Sequence, residues 1–306
     1  MKVLILGYSN IVRKRVLRIL KENNLEIFVA SKTYKKKIPE IKGQFNSYEH
    51  ALKKCRPSIV YISLPNSKHF IWAKKSLNHK YNTIVDKPIT SNVKQLEKLI
   101  ELSRKNKRLL VESTFFNYHV QIKKLIKEYG NVRYKKVYAK FIIPKPDKKS
   151  ILMSKKLQGG VLMDMGPYIS SIPRLFNLKK LLKKRVRIVK NRDKLIMSIN
   201  FLLNFEKGDY NGIFKFGGEY KNEIKITNKK KKFLIKRAFS PPDDQNLILK
   251  SKFKKKNKIT KPKKDNCFRN FFKEVLKKIE NKRYDFYHNR MKHDAVFRIN
   301  LNKKII

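Results

Sequence analysis

Apolar residues in the first third of the chain come in short, nearly continuous runs, separated by stretches with helical spacing. Residues 2–7 (KVLILG) form one such run, closed by glycine. Residues 10–23 place Ile11, Val16, Ile19 and Leu20 at near-helical intervals. Further strands are predicted over 26–31, 58–65, 82–86 and 108–114, with helices over 67–79 and 92–106. Short apolar strands alternating with helices predict a parallel sheet covered on both faces. Ligands on such a sheet bind beyond the carboxyl ends of the strands, so the residues that close each run are the candidates for chemistry.

The pattern changes near residues 114–117. Residues 118–129 read as a helix, 132–144 as a long strand, and 159–176 as a loop entering a helix. Strands then follow near 185–190, 195–205, 211–216, 223–227 and 232–238, and a last helix covers 266–280. Strands in succession without helices between them predict a mostly antiparallel sheet in a second α/β domain. The expected division is therefore 1–114 and 115–306. The lysine-rich run at 252–264 reads as an exposed loop or hairpin.

Composition bounds the function. A chain of 306 residues carries about two domains. It has 77 Lys+Arg against 23 Asp+Glu, a formal charge of +54, of which about +17 lies in residues 1–114 and about +37 beyond. Lysine outnumbers arginine 61 to 16, which fits a solvated lysine coat better than a dedicated nucleic-acid surface. No zinc-finger spacing, RNP aromatic motif or basic zipper accompanies the charge, so a nucleic-acid partner is not expected. No apolar stretch approaches the roughly 18 residues of a spanning helix, so no membrane is expected. The apolar N-terminus runs directly into basic residues, the reverse of a signal peptide. Only Cys55 and Cys267 are present, with no metal-ligand spacing, and the expected compartment is a reducing cytoplasm.

The first strand ends in Gly7-Tyr8-Ser9-Asn10-Ile11-Val12. A dinucleotide fingerprint has glycine at the first, third and sixth of these positions, for the turn, the pyrophosphate and the helix packing. Only Gly7 matches, with Ser9, Asn10 and Ile11 completing the turn. The second strand ends in Ser31-Lys32, where an NAD site would place an acid for the ribose 2′-OH. A hydroxyl and an ammonium suit a 2′-phosphate, so NADP is favoured and NAD stays open.

Two later strand ends are more distinctive: Leu64-Pro65-Asn66-Ser67-Lys68-His69 and Val85-Asp86-Lys87-Pro88. With Gly159-Gly160-Val161-Leu162-Met163-Asp164-Met165-Gly166-Pro167-Tyr168 they resemble the Gfo/Idh/MocA oxidoreductases. That family shows T-P-N-x-x-H, E-K-P and G-G-x-L-x-D-x-G-x-H or G-x-Y in this order. The stretch from Glu112 to Gln121, with Tyr118 and His119, resembles the opening of its second domain. The match departs from the family at Ser9 and Val12, at Asn117 for the usual Arg, and at Val120 for the usual Pro.

The resemblance implies a Rossmann domain, a C-terminal domain with an open sheet that often makes oligomer contacts, and an NAD(P)-dependent oxidoreductase of sugars. It assigns Lys87 to the reacting centre, where its charge stabilises a developing alkoxide. Asp164 and Tyr168, four residues apart, would share one helix face. In the Tyr-containing branch, similar to NDP-hexose 3-ketoreductases and glucose–fructose oxidoreductase, that tyrosine is the proposed proton donor, and a nearby cation such as Lys87 would tune it. Lys236-Arg237-Ala238-Phe239-Ser240-Pro241-Pro242 resembles the R-A-F-T-P-P segment of the 3-ketoreductases, and Arg237 and Lys221 could then meet a nucleotide diphosphate. The cofactor set is Gly7, Ser9, Asn10, Ile11, Ser31, Lys32, Leu64, Pro65, Asn66, His69, Asp86, Lys87 and Pro88. The substrate set is Lys87, Asp164, Tyr168, Tyr118, His119 and Arg237. No metal is expected. Two alternatives stand: a dehydrogenase of a free sugar, cyclitol or polyol, and a non-catalytic relative with an eroded glycine motif.

Overall fold

The computed structural model describes residues 1–229, 231–245, 249–253, 256–260 and 263–301. The chain forms two compact units. One comprises Met1–Ser113 with Phe268–Ala295, the other Thr114–Cys267 with the chain from Val296 on.

The first unit is built on a parallel sheet of β1 (Lys2–Leu6), β2 (Glu26–Ala30), β3 (Gly43–Phe45), β4 (Ile59–Ile62), β5 (Asn82–Val85) and β6 (Leu110–Glu112). Its order is β3-β2-β1-β4-β5-β6. Val3 to Leu6 and Ile59 to Ile62 are all buried, because helices cover both faces. Between the strands lie α1 (Leu17–Glu22), α2 (Tyr48–Cys55), α3 (Asn66–Asn78) and α4 (Val93–Lys105). Ser47 and Asn92 cap α2 and α4, accepting from the His50 and Gln95 amides. A wide, π-helical turn over Val12–Val16 precedes α1, where the fully buried Val12 has to be housed. Strand order reverses between β1 and β4, which sets the ligand-binding crevice at their carboxyl ends.

The first unit also takes back a late part of the chain. The helix α8 (Cys267–Glu280) buries Phe268, Phe271, Phe272 and Val275 at helical spacing. The Phe272 ring meets Tyr61 at 6.1 Å between centroids, and the Arg15 guanidinium lies 4.1 Å from the Phe268 ring centroid. The expected cut at 114/115 therefore misses Phe268–Ala295, since a linear division cannot see a returning helix.

The second unit has an eight-stranded sheet: β7 (Lys135–Ile143), β8 (Leu181–Lys190), β9 (Ile196–Phe205), β10 (Gly208–Phe216), β11 (Lys221–Thr227), β12 (Lys231–Lys236), β13 (Leu249–Phe253) and β14 (Lys256–Thr260). The order is β14-β13-β12-β11-β7-β10-β9-β8, antiparallel except for β7 with β10. Val137, Ala139, Phe141, Ile199, Phe201 and Leu203 alternate onto one face, which forms the core with residues of α5 (Val120–Tyr129) and α7 (Gly166–Leu175). The run at 252–264 contributes to the β13–β14 hairpin, with residues 254–255 and 261–262 outside the described residues. Lys135 is wholly buried, and its Nζ donates to the Tyr129, Gly130 and Val132 carbonyls at 2.8–2.9 Å, closing the end of α5. Burial, with Lys207 second, lowers its pKa to about 8.

The sequence reading missed β3 and α2, and also α9 (His288–Leu301). The three-residue β3 is too short to show a period. The buried positions of α9 include Asp294 and Arg298, which break an apolar stripe.

Candidate active-site elements in the two units

In the first unit the strand ends converge on one polar network. Gly7 has φ +97°, and a Cβ there would stand 2.2 Å from the Ser63 carbonyl oxygen, so the β1 turn tolerates only glycine. Ser9 Oγ lies 2.7 Å from Ser63 Oγ. The Ser63 hydroxyl donates to Asp86, so Ser9 donates to Ser63. Asp86 also accepts from Tyr61 and, at 2.9 Å, from Ser113. Burial, then the Asp86 charge, pushes the Tyr61 phenol well above its usual range and keeps it a donor. Serine at the fingerprint's second glycine position is thus a tie between β1 and β4.

His69 is buried on α3. Its Nδ1 lies 2.8 Å from the Pro88 carbonyl oxygen and its Nε2 2.7 Å from that of Leu64. It links the turn after β4, carrying Leu64, Pro65 and Asn66, to the turn after β5, carrying Asp86, Lys87 and Pro88. Glu112 Oε2 accepts from the Ile89 amide at 2.8 Å and anchors the same turn from β6. Lys87 is half-buried between these ties, and its peptide bond to Pro88 is cis.

Beyond β2, buried Ser31 accepts from the Tyr34 amide at 3.1 Å. Lys32 Nζ lies 5.5 Å from the Tyr48 ring centroid. Tyr8 and Tyr34 place their rings 4.6 Å apart, and the Arg13 guanidinium lies 5.7 Å from the Tyr8 centroid while donating to Asn10. Ile11 is half-buried at the helix entry. A dinucleotide fits this set: the glycine turn, hydroxyls and cations stand at the carboxyl ends of β1 and β2, where its phosphates belong.

In the second unit the helix predicted across Asp164 and Tyr168 is interrupted. It divides into α6 (Val161–Asp164) and α7 at Met165, because Pro167 lacks the N–H that would continue the ladder. The two residues flank a break and do not share one continuous helix. Gly160 opens α6 at φ +91°, a conformation that needs glycine. The Tyr168 ring is held among Phe116, Phe141 and Phe239 at 5.4, 5.5 and 5.4 Å between centroids.

His119 is the buried N-cap of α5. Its Nδ1 accepts from the Gln121 amide at 3.3 Å, and its Nε2 lies 3.9 Å from Asp265, which accepts from the Val120 amide at 2.7 Å. It holds the helix start, beside buried Tyr118. Arg237 has φ +56°, and its guanidinium lies 5.4 Å from the Tyr220 ring centroid. Lys221 is 2.7 Å from Glu219, which accounts for the raised Lys221 pKa and makes it a poorer anion site than the sequence suggested. Among the described residues no cluster could hold a metal, and no helix is long and apolar enough to cross a membrane.

Sequence reasoning missed Tyr61, Ser63, Ser113, Phe141 and Asn222. Ser63 and Ser113 carried a signal, since both lie at strand ends. Phe141 and Asn222 lie within strands and carried none.

Comparison with known proteins gives three findings. Residues 1–114 match the family model "Oxidoreductase family, NAD-binding Rossmann fold" of the Gfo/Idh/MocA group. The dTDP-3,4-didehydro-2,6-dideoxy-alpha-D-glucose 3-reductase of Saccharopolyspora spinosa is 25% identical over 210 residues, 66% of this chain and 63% of that protein, so the match falls short of two thirds of its length. The crystal structure of KijD10, a 3-ketoreductase from Actinomadura kijaniata in complex with TDP-benzene and NADP, aligns with a TM-score of 0.85 at 20% identity, over 96% of this chain and 94% of that one. An aldose-aldose oxidoreductase from Caulobacter crescentus aligns with a TM-score of 0.85 at 18% identity, over 98% and 96%. At these identities the structural matches establish the two-part fold.

Proposed function

We propose, from the match of residues 1–114 to the NAD-binding Rossmann model of the Gfo/Idh/MocA oxidoreductases, that the protein is an NADP-dependent reductase of a keto group on a nucleotide-linked sugar. A bound nicotinamide supplies the hydride. Tyr168 gives the proton to the carbonyl oxygen, and Lys87 offsets the negative charge that develops there. Asp164 accepts a hydrogen bond from a sugar hydroxyl. Ser31 and Lys32 face the 2′-phosphate, and Arg237 meets the nucleotide's diphosphate. His69 and Asp86 hold the turns that carry Pro65, Asn66 and Lys87. The observation that carries the reading is Tyr168: it is a phenol held among three phenylalanines, none of which can give a proton.

The test is a fluorescence titration with NADPH and NADH, followed by turnover of a TDP-linked keto-sugar against free sugars and polyols. NADPH binding with reduction of the nucleotide-linked substrate alone is the expected result. Turnover of free sugars only would move the substrate class, and binding of neither cofactor would favour the non-catalytic reading that Ser9 and Val12 suggest.

The same reading assigns a second copy of the chain to the outer face of the second unit's sheet. That face carries exposed Leu202 and half-buried Tyr138 beside a hollow of about 540 Å³. Arg185, Arg187 and Lys140 line it too. Pairing two such faces brings like charges together, so association should strengthen as salt rises. Sedimentation across a salt series tests this, and a monomer at every salt concentration would reject it. The working compartment in this reading is the cytoplasm.

A further inference from the structure

Asn222 is polar where its strand calls for an apolar side chain. On β11 it shares the core-facing register with Ile224 and Ile226, and like them it is buried. Its side-chain amide makes three hydrogen bonds. Oδ1 accepts from the Phe239 amide at 2.9 Å, and Nδ2 donates to Ser240 Oγ at 2.7 Å and to Tyr220 Oη at 3.0 Å. Its backbone carbonyl accepts from the Arg237 amide at 2.6 Å. One residue therefore ties down the whole turn from Arg237 to Ser240, including the left-handed conformation at Arg237 that a non-glycine residue adopts only when its surroundings impose it.

That turn reaches the candidate proton donor through Phe239. The Phe239 ring packs on Tyr168 at 5.4 Å, on Phe141 at 5.5 Å and on Phe116 at 5.3 Å. Because its amide is pinned to Asn222, the ring cannot slide along the core without breaking a buried hydrogen bond. We propose that Asn222 is a positioning residue for Tyr168, acting through the backbone and ring of Phe239; the inference rests on Tyr168 as the proton donor. A buried polar side chain inside an otherwise apolar stripe is accounted for by this directional role, which an isoleucine could not fill.

The test uses the full-length protein with ¹³C-labelled tyrosine, the Tyr168 resonance being assigned with Tyr168→Phe. Asn222→Ala should shift that resonance and lower kcat about 10- to 100-fold, the size expected for a misplaced reacting group, with KM for the cofactor unchanged. Asn222→Asp should restore most of both, since a carboxylate still accepts from the Phe239 amide while the Ser240 and Tyr220 hydroxyls turn to donate. In a Tyr168→Phe background, Asn222→Ala should lower kcat no further. Should Asn222→Ala fail to fold, Phe239→Leu breaks the same link from its other end and should move the same resonance. An unmoved Tyr168 resonance in the folded variant, or an equal kcat loss with and without the phenol, overturns the proposal. A resonance that moves in a protein turning over no keto-sugar would uphold the positioning and reject the function instead.

Discussion

The two units hold their chemistry-bearing side chains by different means. In the first, side chains from four strand ends bond to one another: Ser9 to Ser63, and Ser63, Tyr61 and Ser113 to Asp86. His69 spans two backbone carbonyls. In the second, Tyr168 is fixed by three rings, and the polar tie stands one layer back at Asn222. Hydrogen bonds are directional and place atoms, which suits the cofactor-binding turns proposed here. Ring packing places a plane and excludes water, which suits the proton donor proposed for Tyr168.

The largest expected effect tests the chemistry of both halves. Tyr168→Phe and Lys87→Ala should each lower kcat about 10²- to 10⁴-fold while leaving the thermal midpoint in place, measured by NADPH oxidation and calorimetry. Full turnover in both variants would leave the contrast without catalytic meaning.

The next effect probes the wholly buried Lys135 of the ring-packed unit. Lys135→Met leaves three carbonyls at the end of α5 without their donor and should lower stability by about 3 kcal/mol in denaturant titrations. A gain in stability would mean that packing alone sustains the second unit.

The first unit should show its polar character in acid. Ser103 donates to the Arg108 carbonyl oxygen and so accepts from His288 Nε2 at 3.0 Å, which places a proton on that nitrogen. Burial, then Arg104, depresses its pKa from 6.5 to about 4. With the folded value below the unfolded one, this contribution is complete above pH 6.5 and is lost as pH falls toward 4. It amounts to about 2–3 kcal/mol at full loss. His288→Gln should flatten that slope in a pH series of thermal midpoints, and an unchanged slope would refute the assignment.

The smallest effect concerns cofactor choice. Lys32→Ala should reduce the preference for NADPH over NADH about tenfold, ~1.4 kcal/mol, in paired titrations. An unchanged preference would move 2′-phosphate recognition to other residues of the first unit.

Much of this was legible in the sequence because its period was legible. The runs at 2–7, 58–65 and 82–86 became β1, β4 and β5, and the alternating stretches after 181 became β8 to β12. The strand-end motifs followed, since a parallel sheet makes strand ends the place for ligands. Residues whose partners are remote in sequence were not legible. Asp86 read as part of a Lys87 motif, yet its partners Tyr61, Ser63 and Ser113 lie about 25 residues away. Asp164 and Tyr168 read as one helix face, but the Pro167 break intervenes.

The sequence by itself determined the alternation of elements, the glycine turn at Gly7 and the order of the motifs, because local sterics and hydrophobic period act over a few residues. Only the tertiary structure decided that Phe268–Ala295 returns to the first unit, that Lys135 is wholly buried, and that Asn222 reaches Tyr168 through Phe239. Burial and hydrogen-bond partnership are properties of neighbours in space, and the chain brings those neighbours together only when it folds.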